Sequence, residues 1–215
     1  MRLLTTSALA LIAAATCSWA WLDFRQDAAA AAARNPSAVD IGFARSMSLH
    51  HQQAIAMAQL MLDGRPTPLA PLARQIAYGQ LLELGEMRGF LKLWGAPLSQ
   101  TKVDMGWMLA GDTAPDAELR QYLLDCERSP SGMPGLATMA QLEQLRSLDG
   151  RPRDALFLEL MLAHHAGGIP MARFAATQAK LAVVRKLAAL IVLDQSRELN
   201  LLRRTQAAMS VIPTD

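Results

Sequence analysis

Aromatic residues are scarce in this chain, 5% of 215, and β-branched residues are sparse beside Ala, Leu, Met and Gln. A sheet core draws on aromatic and β-branched side chains, so this balance favours helix throughout. Cysteine is nearly absent. Cys17 and Cys126 show no metal-ligand spacing, so neither a disulfide framework nor a cysteine metal cluster is expected. Charge of one sign is missing too: the formal net charge is +2, and no Lys/Arg cluster is dense enough to follow a phosphate backbone, which argues against nucleic acid as a partner. Hydrophobic side chains make up 52% of the chain, enough for one domain with a core at this length. The expected fold class is all-α.

The first 22 residues, MRLLTTSALALIAAATCSWAWL, carry one early Arg and then an apolar run. This reads as a secretory signal or an uncleaved membrane anchor, since the run is close to the roughly 20 residues that span a bilayer. The domain is therefore expected outside the cytoplasm (periplasmic, cell-surface or secreted) and in contact with a membrane only through this segment. Cys17 follows Thr16, a poor fit to a lipoprotein site. Residues 23–36, which include the Ala-rich QDAAAAAARNPS, read as a linker, and residues 37–210 as the domain.

Sliding the sequence over itself exposes an internal repeat. Asp40, Phe43, Met47, His50, His51, Ile55, Met57 and Ala58 match Asp154, Phe157, Met161, His164, His165, Ile169, Met171 and Ala172 at one constant offset. With one residue inserted, Gln80, Glu83 and Arg88 match Gln195, Glu198 and Arg203, and Leu202 answers Met87. Each half reads as the same two-helix hairpin. Breakers and caps predict helices over 37–62, 69–94, from about 152, and over 180–209, with short helices near 115–127 and 135–148. The sum is a four-helix bundle of two related hairpins joined by a long, partly helical crossover.

All four histidines fall in the two repeated pairs. At about 100° per residue, Met47, His50, His51, Ala54, Met57, Ala58 and Met61 lie within an arc of roughly 120° on the first helix. Met161, His164, His165, Gly168 and Met171 share the corresponding stripe on the third. A lone histidine on an apolar face is ordinarily a core residue, and methionines at helical spacing are ordinarily packing. Four imidazoles on two core stripes are another matter, because each needs hydrogen-bond partners or a metal once buried.

The donor types select the metal. Thioether sulfur suits Cu(I), and imidazole suits copper in both states as well as zinc. Copper is expected, as Cu(I), Cu(II) or both, ahead of zinc, which would more naturally show Cys, His or carboxylate ligands. A di-iron site would need Glu-x-x-His motifs, and Glu159 stands five residues before His164. Gln80 and Glu83 share a face of the second helix, as Gln195 and Glu198 do on the fourth. As outer groups, Glu83 and Glu198 would accept the spare ring N–H of a ligating histidine; the competing reading makes them solvated surface carboxylates. Met105, Met108, Met133 and Met139 in the crossover serve packing as readily as ligation or a lid.

With the paired M-x-x-H-H segments, the downstream Q-x-x-E and the intervening GMPGLATMAQLEQLRSLDG in view, the sequence resembles a bacterial family catalogued as domain of unknown function 305, from about residue 40 to 205. The resemblance implies a ferritin-like four-helix bundle in extracytoplasmic proteins, some of which bind copper and support copper tolerance. It implies metal-binding roles for Met47, His50, His51, Met57, Met161, His164, His165 and Met171. Where the family commonly has a small residue, this chain has Pro170, which is expected to kink or break the third helix near Gly167 and Gly168. The leading functional expectation is a non-catalytic protein that sequesters or passes on copper. The alternatives are a metal-dependent redox enzyme and a structural or interaction bundle without metal. Oligomeric state is not legible.

Overall fold

The computed structural model describes residues 18, 19, 21, 22, 25, 35–99 and 103–211. The chain divides into two units, Met1–Asn35 and Pro36–Asp215. In the first, residues 18, 19, 21, 22 and 25 are helical, and the Arg25 guanidinium stands 4.7 Å from the centre of the Trp21 ring. The rest of the leader read over 1–22, with Cys17, and the linker read over 23–34 lie outside the described residues. Among the described residues no helix is long and apolar enough to cross a membrane.

The second unit consists of α1 (Ala38–Met61), α2 (Ala70–Leu93), a 3-10 turn (Gly106–Leu109), α3 (Ala117–Arg128), α4 (Met139–Ser147), α5 (Gly150–Gln178) and α6 (Ala182–Val211). No strand occurs among the described residues. The protein is all-α. The ends of the long helices lie within two residues of those read from caps and breakers, because those signals are local. Ser37 and Asp40 close a capping box on α1, with Asp40 N–H donating to Ser37 Oγ at 3.2 Å and Ser37 N–H to Asp40 Oδ2 at 2.7 Å. At the end of α2, Gly95 takes φ +63, and Ala96 N–H reaches Leu91 O at 2.9 Å while Gly95 N–H reaches Lys92 O. That left-handed residue and bond pair form a Schellman stop.

Pro170 does not break its helix: α5 runs from Gly150 to Gln178 through it. The proline withdraws a donor from the carbonyl of Ala166, an exposed residue open to water. One residue on, the Tyr122 hydroxyl donates to Gly167 O at 2.9 Å from α3. Tertiary structure thus supplies a donor in the turn that proline weakens.

α1 packs on α2, α5 packs on α6, and the two hairpins meet chiefly through α1 and α5. The outer helices accordingly bury one narrow stripe, Ala73, Ile76, Gln80, Leu84, Met87 and Leu91 on α2, while the inner ones are buried on several sides. The repeat survives as a pair of reciprocal ties. Asp40 Oδ1 accepts from Leu181 N–H just before α6, at 3.0 Å. Asp154 Oδ1 accepts from the Thr67 hydroxyl at 2.6 Å, and Thr67 Oγ1 in turn accepts from Leu69 N–H just before α2.

The crossover seals this core. Gly42 leaves room for Trp107, whose indole N–H donates to Ser46 Oγ at 3.1 Å. The Gln53 side chain grips Ala137 at both backbone groups, donating to its carbonyl at 2.9 Å and accepting from its N–H at 2.6 Å. Gly167, at the position of Gln53 in the repeat, lets the Pro134 carbonyl lie directly on α5. Of the crossover methionines, Met105, Met108 and Met133 are buried in the core and Met139 is exposed.

Candidate metal centre

The apolar stripes of α1 and α5 carry the histidines into the seam between the hairpins, where His50, His51, His164 and His165 are all fully buried. The rings stand in succession. His51 and His50 have centroids 6.4 Å apart, His50 and His164 are 3.7 Å apart, and His164 and His165 are 6.0 Å apart. Each end of the row meets a carboxylate from an outer helix: Glu83 Oε2 lies 2.7 Å from His51 Nε2, and Glu198 Oε2 lies 2.6 Å from His165 Nε2. Both carboxylates are mostly covered, with side chains 15% and 14% exposed, so they are not the solvated surface groups of the competing reading. Arg88 and Arg203 are exposed.

Burial sets the charge of the central pair. Removal from water holds the His50 imidazole well below its usual 6.5, and the neighbouring His164, His51 and His165 push it further down. His164 is lowered in the same way, first by burial and then by His165. Both rings are neutral near pH 7, the form whose lone pair can bind a metal.

The histidines are not equivalent. His51 uses Nε2 toward Glu83 and leaves Nδ1 without a partner. His164 donates from Nε2 to the His50 carbonyl at 2.9 Å and leaves Nδ1 without a partner. Neither ring nitrogen of His50 has one. His165 differs: Nδ1 faces the Met161 carbonyl at 3.1 Å while Nε2 faces Glu198, so both nitrogens are already engaged. The repeated sequence treats all four alike; three of them keep a free ring nitrogen.

The methionines divide into two groups. Met47 and Met171 are fully buried in one core cluster with Met87, and Met57 and Met161 in a second with Leu202. Met47 and Met57 are ten residues apart on one helix, about 15 Å along its axis, so no single ion reaches both. Met87 shares the inward stripe of α2 with Gln80, as its spacing of seven residues implies, and belongs to the same core cluster as Met47 and Met171. Gln80 and Gln195, each 2% exposed, have no partner for either amide atom.

Among the described residues no three side chains of His, Cys, Asp or Glu are placed to share one metal ion. Cys126 is buried, its thiol pushed up to about 11 mainly by burial, and it supplies no thiolate near neutrality.

Fold and site together define a ferritin-like bundle of two fused helical hairpins with a histidine row in its seam. The chain belongs to the family named domain of unknown function 305, whose profile matches residues 40–206. No curated protein matches it. Its structure is similar to that of a DUF305 protein from Streptomyces coelicolor believed to be secreted, with 32% identity, 82% of this chain and 97% of that one covered, and a TM-score of 0.66. A DUF305 fragment from Deinococcus radiodurans shares the fold at 22% identity, with 81% and 99% covered and a TM-score of 0.61. CopM in its Cu(II)-bound form aligns at 25% identity, with 79% and 96% covered and a TM-score of 0.54. CopM is also known in Cu(I)-bound and Ag-bound forms.

Proposed function

We propose that this protein is a non-catalytic, extracytoplasmic metal-binding protein that holds copper through its duplicated Met/His motifs, for sequestration, tolerance or transfer. The observation that carries the reading is the set of fully buried imidazole nitrogens without a hydrogen-bond partner: both of His50, Nδ1 of His51 and Nδ1 of His164. A buried polar atom left unpaired costs about 1–3 kcal/mol, and a bound cation would relieve that cost at several atoms at once. The donor chemistry fits copper. Neutral imidazoles beside buried thioethers match Cu(I) and Cu(II) better than zinc, which favours four Cys, His or carboxylate ligands. Glu83 would hold His51 with Nδ1 turned inward, as carboxylates do behind metal-bound histidines.

Likeness to CopM supports copper as the metal, and likeness to the Streptomyces protein, together with the apolar leader, supports a site outside the cytoplasm. The N-terminal run serves as a cleaved signal or as an anchor. The test is titration of the metal-free protein with Cu(I), Cu(II) and Zn(II), following melting temperature and bound-metal stoichiometry beside the His50/His51/His164/His165→Ala variant. A ligand that binds the folded state raises its stability by about 2.7 kcal/mol at one hundred times the dissociation constant. A copper-selective rise absent from the variant is the expected result. No rise with any metal would return the histidines to a structural role.

A further inference from the structure

The two halves of the site differ at one small position. Ala54 on α1 corresponds in the repeat to Gly168 on α5. A Cβ at Gly168 would fall 2.7 Å from His50 Cε1, 2.8 Å from Gln195 Oε1 and 3.3 Å from His50 Nδ1. The absent methyl group therefore lets an imidazole edge from α1 and an amide oxygen from α6 close onto the α5 backbone at one point. Both groups are buried and unpartnered: His50 is fully covered, Gln195 is 2% exposed, and neither has a hydrogen-bond partner at any ring or amide atom. Two orphaned polar groups are thus brought together against one glycine.

We infer that Gln195 is a ligand in its own right, and that Gln195 Oε1 and His50 Nδ1, brought together beside Gly168, make the subsite that takes copper as Cu(II). The inference rests on the copper reading and deepens it. An amide coordinates through its carbonyl oxygen, because the nitrogen lone pair is delocalised. An oxygen and an imidazole nitrogen suit Cu(II), whereas the thioethers of Met47, Met87 and Met171 suit Cu(I). Because no three His, Cys, Asp or Glu side chains share an ion among the described residues, the histidines need a donor of another class, and the amide supplies one. The burial of a glutamine with no partner, otherwise a cost to the fold, then has a reason. Gln80 is its counterpart by sequence, but the position on α1 that answers Gly168 is Ala54, so this approach to the backbone belongs to one hairpin only.

The test uses the full-length metal-free protein and three variants, Gln195→Leu, Gly168→Ala and Gln80→Leu. Cu(II) affinity is measured by chelator competition, ligand type by electron paramagnetic resonance, and soft-ion affinity with Ag(I). Gln195→Leu is expected to weaken Cu(II) by about tenfold to a hundredfold, the range seen when groups around a metal are altered. It should change the Cu(II) spectrum, alter Ag(I) affinity less than about threefold, and leave the metal-free melting temperature equal or higher, because an unpaired amide is gone. Gly168→Ala should give the same Cu(II) loss by forcing His50 and Gln195 away from their shared contact, and Gln80→Leu should not. Unchanged Cu(II) binding and spectrum in Gln195→Leu, or equal losses in Gln195→Leu and Gln80→Leu, would overturn the inference while leaving copper binding intact. Wild-type protein that takes up neither Cu(II) nor Ag(I) would overturn the functional reading and the inference together.

Discussion

His51 and His165 show how two residues identical in the repeat acquire different capacities. Each ends on a carboxylate, but only His51 keeps a free ring nitrogen. Glu83→Gln should therefore lower copper affinity by about ten- to a hundredfold, since it loosens a histidine able to ligate. Glu198→Gln should act mainly on the melting temperature and leave copper affinity within about threefold, because His165 is committed to Glu198 and the Met161 carbonyl; paired chelator competition and thermal melts separate the two. The central pair makes the metal-free protein acid-sensitive. His50 and His164 lie below 6.5 when folded and near 6.5 when unfolded. From 6.5 down to the lowered native values the unfolded chain holds more protons, so stability is full above 6.5 and falls as the pH drops below it. They are faced by His51 and His165, beyond which stand Glu83 and Glu198. Urea midpoints measured from pH 7.5 to pH 5 should fall; a flat profile would mean that the two imidazoles charge as freely in the fold as in water.

At the scale of an element, α2 and α5 use glycine for opposite reasons. A Cβ on Gly85 or Gly89 would meet nothing within 4 Å, so alanine at either should stabilise α2 by about 0.5–1 kcal/mol through helix propensity. Gly167 has the Pro134 carbonyl where its Cβ would be. Gly167→Ala must push the crossover off α5 and should cost about 1–3 kcal/mol despite the same propensity gain. Chemical denaturation of the two alanine variants should move in opposite directions. Pro170 orphans the carbonyl of the exposed Ala166, and the next carbonyl, of Gly167, accepts from the Tyr122 hydroxyl at 2.9 Å. Tyr122→Phe, which keeps the packing and removes that hydrogen bond, should cost about 1 kcal/mol.

For the whole molecule, the pseudo-two-fold relation lies in how each hairpin holds the other. Asp40 serves its own capping box and the backbone ahead of α6, whereas Asp154 reaches the start of α2 through Thr67. Asp40→Ala should cost about 2–3 kcal/mol, more than Asp154→Ala, since it frees charge-assisted bonds at two helix starts at once. Equal losses in denaturant titrations would mean that the capping box on α1 adds little. The crossover breaks the symmetry, because Gln53 and Gly167, equivalent in the repeat, take different parts of the same loop.

The sequence by itself determined the all-α class, the two hairpins, the ends of the long helices to within two residues, and the inward faces that bury the four histidines, their methionines and both glutamines. These are local properties: a capping box, a glycine stop and a 3.6-residue period all act within a few positions of themselves. Tertiary structure alone decided which imidazole nitrogens are free, that Met47 and Met171 fall in one core cluster and Met57 and Met161 in another, and that Gly168 admits His50 and Gln195 where Ala54 carries a methyl group. Except at His165, whose Nδ1 is taken up by the Met161 carbonyl of its own helix, the deciding group comes from another helix or from the crossover, tens of residues away along the chain. A repeat in sequence specifies equivalent side chains; what each can bind depends on neighbours that the repeat does not duplicate.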